Sequence, residues 1–267
     1  MNRIANTFKA LQKRKEKALV GFVTAGDPDL IRSEKIITAM CEAGMDILEL
    51  GVPFSDPTAD GPVIQRSSAR ALAHGVNLNA VLNLAGRLRK KTAIPIIIFT
   101  YYNPIHALGI KEFHKQAIAS GVDGVLVVDL PPEESDEMTS SWPNNQLDLI
   151  RLIAPTTPKE RMAKIAKTAS GFLYLVSKTG VTGSQGINTS AVNINTESLR
   201  AVTDLPICVG FGISTAEQVA ATAKTADGVV IGSAFERLIE ENLDKPNLVN
   251  IIKQQTAEYK AATRKKE

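Results

Sequence analysis

Eight short runs of β-branched and aliphatic residues recur along the chain, at 18–24, 46–51, 94–100, 124–129, 148–154, 172–177, 206–210 and 228–232. Most are almost continuously apolar, the pattern of parallel strands covered on both faces rather than of a half-exposed sheet. Amphipathic stretches with helical spacing lie between or after them, at 31–43, 81–90, 110–120, 158–169, 191–202, 215–223 and 248–262. Three turns lead from helix back into strand: Glu42-Ala-Gly-Met-Asp46, Ser120-Gly-Val-Asp-Gly124 and Lys224-Thr-Ala-Asp-Gly228. Each ends a helix with a residue able to take positive φ or with a tight polar turn. Eight strands alternating with helices predict one closed α/β architecture, a (β/α)8 TIM barrel in a single domain over residues 1–267, with residues 1–14 as an extra N-terminal helix. The fourth helix is poorly marked, since 133–141 is brief and Pro143 cuts it short. Arg151 places a charge in mid-strand, where it needs a partner or water.

Composition supports a globular chain: 267 residues, 44% hydrophobic, 22% charged, with a net charge of +3. The basic residues gather near the two ends, at Lys9, Lys13, Arg14, Lys15 and Lys17 and at Arg264, Lys265 and Lys266. Few aromatics interleave with them, so they read as a solvated helix and tail rather than a nucleic-acid patch. No apolar run approaches a membrane span or a signal-peptide core, so a soluble, cytoplasmic protein is expected. Two cysteines, Cys41 and Cys208, lie in apolar patterns and read as small core residues. His74, His106 and His114 lack metal-ligand spacing, so no metal is expected. A Gly-x-Ser-x-Gly elbow is absent as well.

In barrels of this kind chemistry sits at the C-terminal ends of the strands. The seventh strand ends in Cys208-Val-Gly-Phe-Gly-Ile-Ser214 and the eighth in Val230-Ile-Gly-Ser-Ala-Phe235, each running into a helix. Glycines with two helix N-termini suit a phosphate. The second strand carries Glu49 on the face of Ile47 and Gly51, opposite Leu48 and Leu50. A carboxyl buried there has a raised pKa and can exchange protons near neutrality. The proline-stiffened loop 52–62 brings Asp56 and Asp60, which with Glu49 offer an acid/base pair. The sixth strand places Tyr174 with Phe172 and Val176, and the glycine- and threonine-rich segment after it, 178–190, has the composition of a lid. Lys178 shares the parity of Tyr174, leaving open a Schiff base with a sugar-phosphate carbonyl.

An ordered set of stretches carries a closer resemblance: Phe22-Val-Thr-Ala-Gly-Asp-Pro28, Leu48-Glu-Leu-Gly-Val-Pro-Phe-Ser-Asp-Pro57, Ala59-Asp-Gly-Pro62 and Tyr101-Tyr-Asn-Pro104. Asp129-Leu-Pro-Pro-Glu133, Ala154-Pro-Thr-Thr157, Gly180-Val-Thr-Gly183 and Gly210-Phe-Gly-Ile-Ser214 continue it. From about Phe8 to Ala262 the chain resembles the tryptophan synthase α-subunit family. That resemblance implies a lyase of (β/α)8 fold that cleaves indole-3-glycerol phosphate to indole and glyceraldehyde 3-phosphate by a retro-aldol reaction. It implies that Glu49 transfers the protons and Asp60 serves the indole N–H. Phe22 would line the indole pocket, with Tyr174 and Phe211 also in the site. Phosphate contacts would map to Gly183, Gly212, Gly232 and Ser233, and Thr182 would approach Asp60 when the lid closes. By the same resemblance Lys178 is a lid cation, not an imine former.

The resemblance further implies a β-subunit partner in an α2β2 heterotetramer, contacted through loops that include Pro53, Phe54, Asp56, Pro57, Asn103 and Pro104. It places pyridoxal phosphate on that partner and no cofactor on this chain. Two other readings stay open: a solitary lyase that releases free indole, and a silent subunit that only activates its partner. Retention of both Glu49 and Asp60 speaks against the second.

Overall fold

The computed structural model describes residues 2–140, 142, 146–177, 189–210 and 212–264. Strands β1 (Ala18–Thr24), β2 (Ile47–Gly51), β3 (Ile96–Thr100), β4 (Gly124–Val127), β5 (Asp148–Ile153), β6 (Leu173–Val176), β7 (Ile207–Gly210) and β8 (Gly228–Ile231) form a closed barrel in sequence order. Every neighbouring pair is parallel, and β8 closes on β1. Strand starts trim where chemistry requires it. Pro95 and Pro206 have no N–H for a ladder, so β3 and β7 begin one residue after them.

Alternation along each strand sorts the side chains into two layers. Ala18, Val20, Ile47, Ile97, Leu126, Ile150, Tyr174, Cys208 and Val230 pack together inside the barrel. Leu19, Val23, Leu48, Leu50, Ile96, Ile98, Val125 and Val229 pack outward against the helices. The N-terminal helix α1 (Arg3–Lys13) turns Ile4, Phe8 and Leu11 into the inner cluster and so plugs the lumen from below. Phe8 meets Phe172 edge-on at 5.9 Å between ring centroids.

The three helix-to-strand turns each carry an aspartate that clamps two neighbouring strands. Asp46 accepts from Leu19 N–H at 2.8 Å, Asp123 from Ile96 N–H at 2.9 Å and Asp227 from Ile207 N–H at 3.1 Å. Gly44 and Gly121 take positive φ (100° and 72°) to make two of these turns. Cations cover the carboxylates: Lys260 on Asp46, Arg89 on Asp123, and Lys17 with Arg200 on Asp227. This face of the barrel serves stability and leaves the opposite mouth to chemistry.

The outer layer comprises α2 (Leu30–Glu42), α3 (Pro62–Ala73), α4 (Leu78–Arg89), α5 (Tyr102–Leu108), α6 (Ile110–Ala119), α7 (Ser135–Thr139), α8 (Lys159–Lys167), α9 (Thr189–Arg200), α10 (Ala216–Thr222), α11 (Ser233–Glu240) and α12 (Leu248–Ala262). Four of these, α3, α5, α7 and α11, have no counterpart among the amphipathic stretches; α7 is the poorly marked fourth helix and α11 is the helix that follows the eighth strand. The buried stripe of α3 is Val63, Ser67, Ser68 and Ala71, so half of it is serine and the apolar periodicity is hidden. In α5, Pro104 sits in the first turn, where a missing N–H costs nothing. The weak fourth helix is a 3-10 turn at Pro132–Glu134 followed by the five residues of α7.

Arg151 faces outward from β5, is 4% exposed, and donates from Nη1 to Leu130 O at 3.0 Å. Its Nε and Nη2 find no acceptor among the described residues. Burial holds its pKa below the ordinary arginine value, with the Glu133 charge opposing. No helix among the described residues is long and apolar enough to cross a membrane.

Candidate active site

At the C-terminal mouth of the barrel a cavity of about 580 Å³, counting its open side, is lined by residues from five strands and the segments that follow them. The lining is mostly apolar with few polar groups, the make-up of a small-ligand pocket. Phe22, Phe99, Ile64, Ile213 and Val230 form its walls, and Glu49, Asp60, Tyr174 and Ser233 supply its chemistry. A broader groove lies on the opposite face beneath α1, where Lys9, Lys15, Asp148 and Asp227 are among the lining residues. It has no orphaned acid and no glycine-opened helix end, so the mouth is the better candidate.

Glu49 stands on β2 between Phe22 of β1 and Ile97 of β3 in register. It is wholly buried, and neither carboxyl oxygen has a hydrogen-bond partner among the described residues. Desolvation alone pushes its pKa up to about 8. The carboxyl is therefore protonated at neutral pH and carries its proton in an apolar wall beside empty space. Tyr174 on β6 belongs to the same wall, its hydroxyl raised above the ordinary range by burial and then by the nearby Glu49 and Cys208. A β-carbon on Gly210 would stand 2.5 Å from the Tyr174 hydroxyl, so glycine is required for that tyrosine to reach its place.

Asp60 enters from the β2–α3 segment, which is tightly built. Thr58 N–H donates to Asp56 O at 2.8 Å, Asp60 N–H to Pro57 O at 3.0 Å, and Gln65 to Asp60 O at 2.9 Å. Tyr101, just past β3, organises the tip: its hydroxyl donates to Asp60 Oδ2 at 3.1 Å and accepts from Ala59 N–H at 3.0 Å. Burial raises the Asp60 pKa to about 6, and the Tyr101 hydrogen bond partly offsets this. The two carboxyls thus differ at pH 7, one protonated and the other ionised, the arrangement that divides acid and base roles.

Gly232 and Ser233 lie at the open N-terminus of α11, where no side chain caps the first N–H groups. Gly212 joins them at the cavity wall. The second helix end expected here carries a side-chain cap. Thr215 caps α10 through Gln218 N–H at 3.3 Å, and Gln218 in turn accepts from Ser214 N–H at 2.8 Å. The uncapped end of α11 is therefore the more open of the two for an anion.

Of the residues singled out from sequence, Phe22, Glu49, Asp60, Tyr174, Gly212, Gly232 and Ser233 line this one cavity. Lys178, Thr182, Gly183 and Phe211 lie outside the described residues, as does most of the lid 178–190. The residues expected to face a partner differ in exposure. Pro53 is buried, and Phe54 is half-buried because it stacks on Tyr101 at 5.0 Å. Asp56 and Asn103 are exposed, while Pro57 and Pro104 are half-buried. Residues Tyr102, Asn103 and Pro104 start helix α5 rather than forming a loop, with Asp129 accepting from Tyr102 N–H at 2.7 Å. Sequence reasoning missed Ile64, Phe99 and Tyr101. Strand parity could have found Phe99, which shares the face of Ile97; Ile64 lies in α3, which the apolar pattern did not mark, and Tyr101 comes just past β3, where its reach to Asp60 depends on the tertiary fold. Among the described residues no group of three or more His, Cys, Asp or Glu side chains is disposed to hold a metal ion.

The family model described as tryptophan synthase alpha chain matches residues 8–264. The tryptophan synthase alpha chain of Desulfosudis oleivorans is 62% identical over 264 residues, covering 99% of this chain and 100% of the relative. That of Desulfatibacillum aliphaticivorans is 61% identical with the same coverage. Among solved structures, tryptophan synthase subunit alpha from Legionella pneumophila superposes with a TM-score of 0.90 at 38% identity, over 98% of each chain. A structure of tryptophan synthase from Mycobacterium tuberculosis superposes with a TM-score of 0.91 at 32% identity, over 99% of each.

Proposed function

Because the chain belongs to the tryptophan synthase alpha chain family, we propose that its barrel mouth cleaves indole-3-glycerol phosphate, with Glu49 moving the protons and Asp60 holding the indole N–H. The observation that carries the assignment is the Glu49 carboxyl, fully buried, unpartnered and protonated at neutrality against the cavity. The chemistry needs such a group. Glu49 delivers its proton to C3 of the indole ring, and the ring nitrogen gains positive charge. The ionised Asp60 carboxylate accepts the indole N–H and stabilises that charge. The bond from C3 to the glycerol carbon then breaks, its electron pair returning to the ring. The hydroxyl on that carbon becomes the aldehyde carbonyl and gives its proton to the Glu49 carboxylate, which restores the acid. Indole and glyceraldehyde 3-phosphate are the products, and no proton is gained or lost overall.

Phe22 and Phe99, in an edge-on pair at 5.1 Å, offer the indole ring an apolar slot, with Tyr174 beside Glu49. The α11 N-terminus at Gly232 and Ser233, together with Gly212, takes the phosphate. Gly183, Thr182 and Phe211 complete the site by resemblance. The departing indole is a stabilised carbon nucleophile, so the chain needs no cofactor and no imine at Lys178. We assign pyridoxal phosphate to a β-subunit partner in an α2β2 assembly in the cytoplasm, reached through the exposed Asp56 and Asn103 and the half-covered Phe54, Pro57 and Pro104, with Pro53 supporting from below. One domain over the full chain suffices for all of this.

The test is release of indole and glyceraldehyde 3-phosphate from indole-3-glycerol phosphate by wild type, Glu49→Gln and Asp60→Asn. Loss in both variants is expected; full activity in Glu49→Gln would remove the acid from its role. Borohydride trapping of a substrate adduct on Lys178 would replace the mechanism with an imine route. Stimulation by an added β subunit distinguishes the complexed enzyme from a solitary lyase.

A further inference from the structure

Behind the cavity, where β1, α3 and α11 meet, lies a buried charged cluster that the cleavage reaction does not use. Asp27, in the turn after β1, and Glu236, one turn into α11, are both fully buried. Arg70 of α3 grips Asp27 with two parallel bonds of 2.7 and 2.8 Å, and its third nitrogen reaches Glu240 at 2.7 Å. Arg66 binds the same Glu240 at 2.8 and 2.7 Å. Glu236 Oε1 accepts from Thr24 N–H at 2.7 Å. Its Oε2 has no donor facing it, and its neighbour is the Asp27 carboxylate.

Charge balance decides what Glu236 must be. The charged groups around it are Asp27 from the β1 turn, Arg70 and Arg66 from α3, and Glu240 from its own helix. Two guanidinium groups neutralise Asp27 and Glu240, and among the described residues no cation remains for a third carboxylate. An ionised Glu236 would face Asp27 across a water-free gap; a proton on Oε2 converts that repulsion into a hydrogen bond. Burial, reinforced by the Asp27 charge and hydrogen bond, raises its pKa well above the ordinary value, in agreement with the geometry.

The cluster's position gives it a task. Thr24 follows Phe22 by two residues, and its hydroxyl pairs with Ser67 Oγ at 2.7 Å; Ser67 is one turn after the cavity residue Ile64 on α3. Glu236 is three residues after Ser233. We infer that Glu236 is a positioning residue: a neutral acid that bonds Thr24 N–H and Asp27 together, fixing the phosphate-binding end of α11 against the strand and helix that carry Phe22 and follow Asp60. This rests on the proposed phosphate site at Gly232 and Ser233, and it adds the element that holds that site at its working distance.

Glutamine at this position keeps both bonds, accepting from Thr24 and donating to Asp27 without charge. Leucine keeps the volume and loses both. One neutral bond and one to an ionised carboxylate are lost, and about a tenfold change in binding is the part of that loss expected to reach the ligand. Glu236→Leu is expected to raise KM for indole-3-glycerol phosphate about tenfold and to weaken inorganic phosphate binding, read by phosphorus NMR titration, to the same degree, with kcat changed less than about threefold. Glu236→Gln should stay within about twofold of wild type in each. The infrared difference between wild type and Glu236→Gln at pH 7 should show loss of a protonated carboxyl band. Unchanged KM and phosphate affinity in a folded Glu236→Leu would overturn the positioning role. A Glu236→Gln protein as impaired as the leucine variant, or lacking the infrared difference, would overturn the neutral acid. Should Glu236→Leu fail to fold, the glutamine variant and the infrared band still decide. Absence of indole release by wild type would sink the proposed cleavage and leave the infrared and phosphate readouts standing.

Discussion

Replacing Glu49 with glutamine should abolish cleavage and at the same time make the protein more stable, by an amount that grows with pH. Glu49 is wholly buried without a partner, and its pKa rises from an ordinary 4.5 to about 8. The sign follows from linkage. A carboxyl with a raised folded-state pKa costs nothing below the unfolded value, because both states are protonated there. As pH climbs from about 4.5 to about 8, the unfolded chain gains by ionising and the folded chain does not. Integration over that window gives a penalty of close to zero at pH 4, about 2 kcal/mol at pH 6 and about 3 kcal/mol at pH 7. Glutamine has the same shape and no such penalty. The cost from Asp60 is common to both proteins and cancels. For a chain of this length about 3 kcal/mol corresponds to roughly 6–12 °C in Tm. Thermal unfolding of wild type and Glu49→Gln in parallel buffers from pH 4 to pH 8 measures the difference directly. Converging curves at pH 4 that separate steadily toward pH 8 are expected. A constant separation, or a less stable glutamine variant at pH 7, would mean that Glu49 is ionised or paired in the fold, and the reasoning would fail.

Three further substitutions test the surroundings. Tyr101→Phe removes one hydrogen bond to Asp60, so kcat/KM should fall about fivefold and the limb of the pH profile set by Asp60 should move upward, read by steady-state assay. In Gly51→Ala the new β-carbon would lie 2.6 Å from Phe22 Cζ, forcing the ring into the cavity; catalytic efficiency should drop between about ten- and a hundredfold, while circular dichroism shows the fold retained. Arg151→Met removes a buried guanidinium with two unmet donors, so urea unfolding should report a gain of about 1–3 kcal/mol with indole release unchanged.

The barrel was legible because its strands are covered on both faces and announce themselves as apolar runs. Parity grouped Glu49 with Ile47 and Tyr174 with Phe172 without deciding which face turned inward, and the fold turns both groups inward. Helix α3 was hidden because serines fill half of its buried stripe, and with it went Ile64 and the Ser67 bond to Thr24. Tyr101 was quoted as part of a motif, yet its hold on Asp60 depends on two segments far apart in sequence folding to 3.1 Å, which no local pattern encodes. Nothing in the local pattern marks Glu236. Only the closing of β8 onto β1 puts it beneath Thr24 and against Asp27. The partial cover of Phe54 has a related cause, since Tyr101 stacks on its ring from a segment far off in sequence.

The pH dependence of kcat/KM for indole-3-glycerol phosphate tests the central claim most directly, since it reads the protonation states of the free enzyme's acid and base. With Asp60 ionised above about 6 and Glu49 protonated below about 8, the profile should be bell-shaped between those values, and Glu49→Gln should show no cleavage across it. A rate that stays level through pH 9, or a glutamine variant that keeps a bell of its own, would contradict Glu49 as the proton donor.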